Sequence, residues 1–193
     1  MKLLKLNVRD SVQKVLECTN THEHTTILCI SDEKVVGYGI YEDLVDLEKC
    51  KELNILTLPL AFKGGACVVF EDDINFLAVH SVESNFGKKI IVEVIKYLQT
   101  KGIQASLMGN DIVIYNEEEQ YEKVGSYTKA WIEDGACAQF AVHLSFTVDN
   151  ELIDQICTKN RIKMPTGLSK YEITREEILN HLYATIDELK ESV

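Results

Sequence analysis

Residues 35–80 read VVGYGIYEDLVDLEKCKELNILTLPLAFKGGACVVFEDDINFLAVH, and this stretch decides the fold. It begins as a β run and changes over 43–53 to apolar residues at roughly helical spacing. A strand follows at 54–58, where we expect Pro59 to stop it. Residues 66–82 predict two more strands with an acidic turn between them. The stretch therefore predicts strands that alternate with a short helix and a Gly-rich loop.

The rest of the chain continues this mixture. Strands are predicted on both sides of a turn at 31–34 and at 103–107, 111–115, 123–133 and 136–147. Helices are predicted after a short N-terminal strand and at 86–101, 149–159 and 174–191. Thr174 and Glu177 have the spacing of a capping box at the start of the last helix. Because antiparallel strand pairs are mixed with crossing helices, the order favours an α+β fold over a doubly wound parallel sheet.

Length and composition limit the classes of function. The 193 residues fit a single domain spanning 1–193. The net charge of −11, with arginine only at Arg9, Arg161 and Arg175, argues against nucleic-acid binding and anionic membranes. No stretch has the ~20 apolar residues of a membrane span, so we expect a cytoplasmic protein. The six cysteines are scattered without a CxxC pair, which favours free thiols and predicts no metal site.

Three motifs occur in a fixed order. The first is 35–80, with Lys63-Gly64-Gly65-Ala66 in its loop. The second is Gly109-Asn110-Asp111-Ile112-Val113, and the third is Lys123-Val124-Gly125-Ser126. Together they resemble the lipoate–protein ligase family, within the superfamily that also holds octanoyltransferases and biotin protein ligases. The resemblance implies a mixed, largely antiparallel sheet flanked by helices.

The resemblance also implies a chemistry. Such an enzyme activates lipoate, octanoate or a biotin-like acid with ATP and Mg²⁺, and passes the acyl group to a lysine of an acyl-carrier (lipoyl) domain. Lys123 would be the catalytic residue that stabilises charge. The residues implied in the adenylate pocket are Lys63, Gly64, Gly65, Ala66, Asn110, Asp111, Gly125 and Ser126. Glycines there permit close approach of the backbone to the ligand, and successive N–H groups can hold an anion.

The chain also departs from the family pattern. Leu60, Ala61 and Phe62 stand where the family has paired arginines, and no arginine lies between Gly109 and Asn110. Pro165-Thr166-Gly167 resembles the Pro-Cys-Gly element of octanoyltransferases with threonine in place of the cysteine. The resemblance therefore implies that Thr166 is a neighbour of the acyl site, without the thioester chemistry of a cysteine.

Simpler interpretations of the same residues stay open. Lys123 is close in sequence to Glu117, Glu118, Glu119 and Glu122, which favours an ordinary surface ion pair. Gly64-Gly65 is also consistent with a plain loop, and Asn110-Asp111 with a turn that enters a strand. The turn Glu71-Asp72-Asp73 is typical of a solvated surface. The alternative function is therefore a non-catalytic member of the fold that binds a small ligand or a protein.

Overall fold

The structure, a computed structural model, describes residues 3–31, 33–39, 44–60, 67–69, 72–116, 120–132, 135–158 and 164–190. The helices are α1 (Val8–Thr21), α2 (Leu47–Glu52), α3 (Phe86–Thr100), α4 (Asn150–Ile156) and α5 (Arg175–Thr185). The strands are β1 (Leu3–Leu6), β2 (Thr25–Ile30), β3 (Val35–Gly39), β4 (Leu56–Leu60), β5 (Cys67–Val69), β6 (Ile74–Ser81), β7 (Ala105–Met108), β8 (Asp111–Tyr115), β9 (Tyr121–Trp131), β10 (Cys137–Leu144) and β11 (Met164–Pro165). Two 3-10 helices cover Leu168–Tyr171 and Asp187–Leu189.

The strands form two sheets. The large sheet has the order β1-β2-β6-β10-β9-β8-β7, with β11 added beside β9. Its pairs are antiparallel except β1 with β2, which α1 connects, and β11 with β9. The small sheet has the order β4-β3-β5. The prediction of an α+β fold with a mixed, largely antiparallel sheet flanked by helices is confirmed.

The two faces of the large sheet have different partners. Successive residues of a strand point to opposite faces, so Phe76 lies in the main core with α3 and α5, while Leu77 packs with the cluster under α1. The main core is continuous from α3 through the sheet. Burial of each large apolar side chain there stabilises the fold by about 1.5–3 kcal/mol. The opposite face is covered by α1 at one end and carries polar residues at the other.

Helix α3 follows the predicted apolar stripe. Ile90, Ile91, Val94 and Leu98 are all at most 1% exposed, and they lie on the side that meets the sheet. Among the described residues, no helix is long and apolar enough to cross a membrane.

Two details differ from the sequence predictions. Pro59 does not stop its strand: it lies within β4, opposite Tyr38 of β3. Because β4 is at the edge of the small sheet, the missing N–H of proline leaves the inner ladder intact. The two strands predicted on either side of the turn at 31–34 are both present, and they belong to different sheets: β2 to the large one and β3 to the small one.

The last helix is also shorter than the predicted 174–191. Helix α5 ends at Thr185, Ile186 is extended with φ −115°, and the 3-10 helix Asp187–Leu189 follows. Ile186 and Leu189 are both buried in the main core. The apolar pattern in the sequence extends past the end of α5 because Ile186 and Leu189 still contact the core, although their backbone is no longer α-helical.

Candidate functional site

The second motif forms a tight hairpin between β7 and β8. Gly109 and Asn110 are its two loop residues, and Met108 pairs with Asp111 across it. Gly109 has φ +63°, which glycine adopts without steric cost and which is typical of the first loop position of a type II′ turn. The Asn110 carbonyl accepts a hydrogen bond from the N–H of Tyr127 at 2.7 Å. The hairpin therefore fixes Asp111 as the first residue of β8, against β9.

A β-bulge in the third motif sets the direction of the Lys123 side chain. Ile112 of β8 pairs with Gly125 of β9, but the next pair is Val113 with Lys123, so Val124 is an extra residue. Val124 lies in the main core, and a Cβ on Gly125 would meet the core side chains of Leu144 and Ile112. Both bulge residues therefore face the core.

Lys123 and Ser126 flank this bulge and face the other side of the sheet. Lys123 and Ser126 are three residues apart, so a regular strand would send them to opposite faces. The bulge places them on one face, where Ser126 lies opposite Asp111 on one side and His143 on the other. A bulge that redirects a side chain in this way is frequent beside functional sites.

Lys123 forms an ion pair with Asp111. The Lys123 Nζ is 3.0 Å from the Asp111 Oδ1, and the two side chains are 35% and 21% exposed. Partial burial makes such a pair stronger than an exposed one, since solvent screens it less. The neighbouring Glu122 has other partners, Lys170 at 2.7 Å and the Tyr171 hydroxyl at 2.9 Å.

Those two partners also set the charge of Glu122. Burial by itself would raise the pKa of the Glu122 carboxyl, but the hydrogen bonds from Lys170 and Tyr171 outweigh it and hold the pKa below its usual value. Glu122 is therefore an anion that holds the 3-10 helix Leu168–Tyr171 against β9.

The Pro165-Thr166-Gly167 segment lies directly beside Lys123. Pro165 pairs with Lys123 in parallel, and the Thr166 N–H donates to the Lys123 carbonyl at 2.7 Å. Gly167 is buried against the backbone of Phe146, where a Cβ would collide with the Phe146 carbonyl. Only glycine fits there, so the segment passes close to the end of β10. The structure thus brings Thr166, Lys123 and Asp111 together.

A buried polar cluster lies on the same face of the sheet. It consists of Asp73, Asn75, His143 and Ser145, each at most 8% exposed. His143 Nδ1 is 2.8 Å from Asn75 Oδ1, and His143 Nε2 is 2.9 Å from Ser145 Oγ. Asp73 Oδ2 lies 3.4 Å from His143 Nε2, and Asp73 Oδ1 accepts the N–H of Phe146 at 2.9 Å. Hydrogen bonds within the cluster compensate for the loss of water.

Burial favours the uncharged form of the His143 imidazole. Burial lowers its pKa to about 3, and the positive charge of Lys123 acts in the same direction.

Sequence reasoning missed this cluster. The acidic run 71–73 predicts a solvated turn. Asp72 is indeed exposed and pairs with Arg175, but Asp73 is completely buried. The sequence signal was limited to Asn75, which belongs to the first motif, and to His143 within an apolar strand. Asn75 and His143 are 68 residues apart, and the sequence does not show that their strands pair and bring the two side chains together.

Part of the predicted pocket is outside the described residues. This part consists of Lys63, Gly64, Gly65 and Ala66. The position of this loop relative to Lys123 therefore stays a prediction. The strands on either side of this loop, β4 and β5, are the two outer strands of the small sheet. Gly125 and Ser126 are described, and they lie in the bulge and opposite Asp111 as given above.

Comparisons with known proteins identify the fold. No protein-family model matches the sequence, and no curated protein matches it. Solved structures do match. A bipartite lipoate protein ligase from Thermoplasma acidophilum, studied with its E2 lipoyl domain, is 16% identical with a TM-score of 0.76, covering 99% of this chain and 86% of that one.

Two other solved structures extend the likeness. A lipoate-protein ligase A bound with ATP is 15% identical with a TM-score of 0.74, covering 99% of this chain and 87% of that one. The biotin protein ligase of Aquifex aeolicus, in complex with biotin and ATP, is 15% identical with a TM-score of 0.56, covering 97% of this chain and 69% of that one. At these identities the likeness shows the fold of lipoate and biotin protein ligases.

Proposed function

We propose that this chain, which has the fold of the lipoate and biotin protein ligases, activates a carboxylic acid with ATP and transfers the acyl group to a lysine of a carrier domain. The acid is of the lipoate, octanoate or biotin type. Similar solved structures hold ATP, lipoic acid or biotin, and one was studied with its lipoyl domain. On this proposal residues 1–193 act as one catalytic domain.

The observation that carries the proposal is the convergence at Lys123. The bulge places its side chain on the same face of the sheet as Asp111, and the backbone of the Thr166 segment runs beside Lys123. An ammonium group in this half-buried position can stabilise the negative charge that grows on an acyl carbonyl oxygen and a phosphate during attack. Reduced solvent screening strengthens that effect relative to an exposed lysine. Lys123 is therefore the residue to which we assign the charge-stabilising role.

Asp111 has a separate role in this proposal. Its carboxylate holds the Lys123 ammonium at 3.0 Å, and Asp111 begins β8 opposite Ser126. Among the described residues, no three His, Cys, Asp or Glu side chains lie close enough together to hold a metal by themselves. Mg²⁺ bound with a nucleotide needs only one or two carboxylates besides the phosphates, so Asp111 fits that requirement. The ion would neutralise phosphate charge, and Asp111 would orient it.

The direct test is an adenylation assay with purified protein. Octanoate, lipoate and biotin are each supplied with ATP and Mg²⁺, and the acid-dependent release of pyrophosphate and formation of an acyl-AMP adduct are measured. We expect at least one acid to give both products, and a lipoyl domain to accept the acyl group from that adduct. Absence of adduct with all three acids would reject the proposal.

A second candidate function is a non-catalytic binding module. It is favoured by the sequence around residue 60, where Leu60, Ala61 and Phe62 supply no charge for a phosphate. Lysine at position 63 cannot offer the two-pronged hydrogen bonding of arginine. Such a module would bind one of the acids without consuming ATP. Calorimetry with acid alone tests whether the acid binds. Addition of ATP and Mg²⁺ then separates the two functions, because only an adenylating enzyme releases pyrophosphate.

A further inference from the structure

The buried polar cluster is connected to the backbone that carries Lys123. Ser145 is the connecting residue: its N–H donates to the carbonyl of the bulge residue Val124 at 2.9 Å. Its own carbonyl accepts the N–H of Leu168 at 2.9 Å, just after the Pro165-Thr166-Gly167 segment. Ser145 therefore lies between the bulge that aims Lys123 and the segment that runs beside Lys123.

The side chain of Ser145 is held by His143. The Ser145 hydroxyl is 2.9 Å from His143 Nε2, and the other ring nitrogen is held by Asn75 at 2.8 Å. His143 and Ser145 are 7% and 8% exposed. Water therefore has little access to replace these hydrogen bonds, and the loss of one leaves a buried polar group unpaired.

We propose that His143, acting through Ser145, is a positioning residue that fixes the Val124 bulge and thereby the direction of the Lys123 side chain. The effect on turnover rests on the proposed function, whereas the effect on Lys123 itself does not. The geometry explains why an imidazole is used. It reaches Asn75 and Ser145 from opposite sides of one rigid ring, so β6 and the end of β10 are fixed relative to each other.

Two substitutions at His143 separate its two contacts. The side-chain amide of His143→Gln reaches about as far as Nε2 and can still hold the Ser145 hydroxyl. The shorter amide of His143→Asn reaches only the Nδ1 position and can hold Asn75. If Ser145 transmits the effect, His143→Gln should preserve the Lys123 environment and His143→Asn should not. Ser145→Ala removes the same link with minimal change of volume.

Gln139→Met is the matched control. Gln139 is on the same strand and face as His143 and is 3% exposed. Its side chain donates to the Thr19 hydroxyl of α1 at 2.5 Å, away from the bulge. This variant therefore also loses a buried hydrogen bond of β10, but not one connected to Lys123.

The readout is the NMR signal of Lys123 after ¹³C-methylation of lysine amines, assigned by its loss in Lys123→Arg. We expect the Lys123 signal to shift in His143→Asn and Ser145→Ala, and to stay at the wild-type position in His143→Gln and Gln139→Met. If turnover is present, kcat should fall about 100-fold in the two shifted variants with little change in KM, since a small misplacement costs that much.

An unchanged Lys123 signal in folded His143→Asn and Ser145→Ala would overturn the inference. An equal shift in Gln139→Met would overturn it too, because the effect would then be a general loosening of β10. If His143→Asn does not fold, Ser145→Ala decides. If the wild-type protein shows no adenylation, only the proposed function is rejected. The NMR comparison would still test the positioning of Lys123.

Discussion

At the scale of single residues, the close contact between Gly125 and the backbone of His143 restricts which residue can occupy position 125. A Cβ on Gly125 would stand 2.6 Å from the His143 carbonyl and 3.0 Å from the Leu144 side chain. The backbone of β10 cannot move away without breaking its pairing with β6. Gly125 is thus required by close approach of two strands.

We therefore expect Gly125→Ala to destabilise the protein by about 1–3 kcal/mol, the usual effect of overpacking a rigid site. Urea unfolding followed by circular dichroism measures this change. Ser126→Ala, the next position along β9, is the control, because Ser126 is only half-buried and faces away from the core. Equal stability of Gly125→Ala and wild type would contradict the close packing at the bulge.

The buried histidines give the protein a defined acid sensitivity. Burial lowers the pKa of His143 to about 3, with the Lys123 charge adding to it, and burial chiefly lowers the pKa of His80 to about 4. The unfolded chain binds protons at these groups from about pH 6.5 downward, while the folded protein does not. Unfolding is therefore favoured increasingly as the pH falls from about 6.5 toward 3.

We predict that the free energy of unfolding falls over this pH window in the wild type and falls less in His80→Gln, which cannot take up that proton. His22→Gln, at an exposed position, should keep the wild-type slope. Urea titrations at a series of pH values provide the measurement. A slope in His80→Gln as steep as that of the wild type would show that His80 is not kept neutral by burial.

At the scale of elements, a local sequence signal predicted the start of α5 better than any pattern predicted the partners of strands. Thr174 and Glu177 form the capping box that their spacing indicated. By contrast, the two β runs in 25–39 predicted two strands but could not show that the strands belong to different sheets. Strand pairing depends on contacts between distant segments, such as β2 with β6, which no local pattern contains.

We expect Thr174→Ala to destabilise the protein by about 1 kcal/mol, because the cap of α5 is lost. Thr185→Ala, at the other end of the same helix, is the control. The Thr185 hydroxyl donates to a carbonyl within its own last turn, so its removal should have a small effect. Thermal unfolding of both variants measures the difference. A Thr174→Ala variant no less stable than Thr185→Ala would contradict the capping assignment.

At the scale of the whole molecule, the sequence predicted the fold class and several residues that the structure brings together. The order of the three motifs indicated the ligase fold, which the solved structures match. The sequence also named Asp111, Lys123 and Thr166, which lie side by side. The sequence did not reveal the bulge. Val124 is an apolar residue that faces the core, as in a regular strand, and only the strand pairing shows that it is an extra residue that puts Lys123 on the same face as Ser126.

The central claim is that Lys123 stabilises charge during activation of the acid. Its most direct test is the rate of acid-dependent exchange between ATP and pyrophosphate in Lys123→Ala. The control is Lys101→Ala, because Lys101 also forms an ion pair, with Glu177 at 2.7 Å, but at the C-terminal end of α3. Both variants should remain folded, and loss of the Lys123 pair should change the free energy of unfolding by about 1 kcal/mol or less.

We predict that exchange falls about 100- to 1,000-fold in Lys123→Ala, the range found when a charge-stabilising donor is removed from an active site. Lys101→Ala should exchange at the wild-type rate. A folded Lys123→Ala protein that exchanges pyrophosphate as fast as the wild type would contradict the assignment of Lys123.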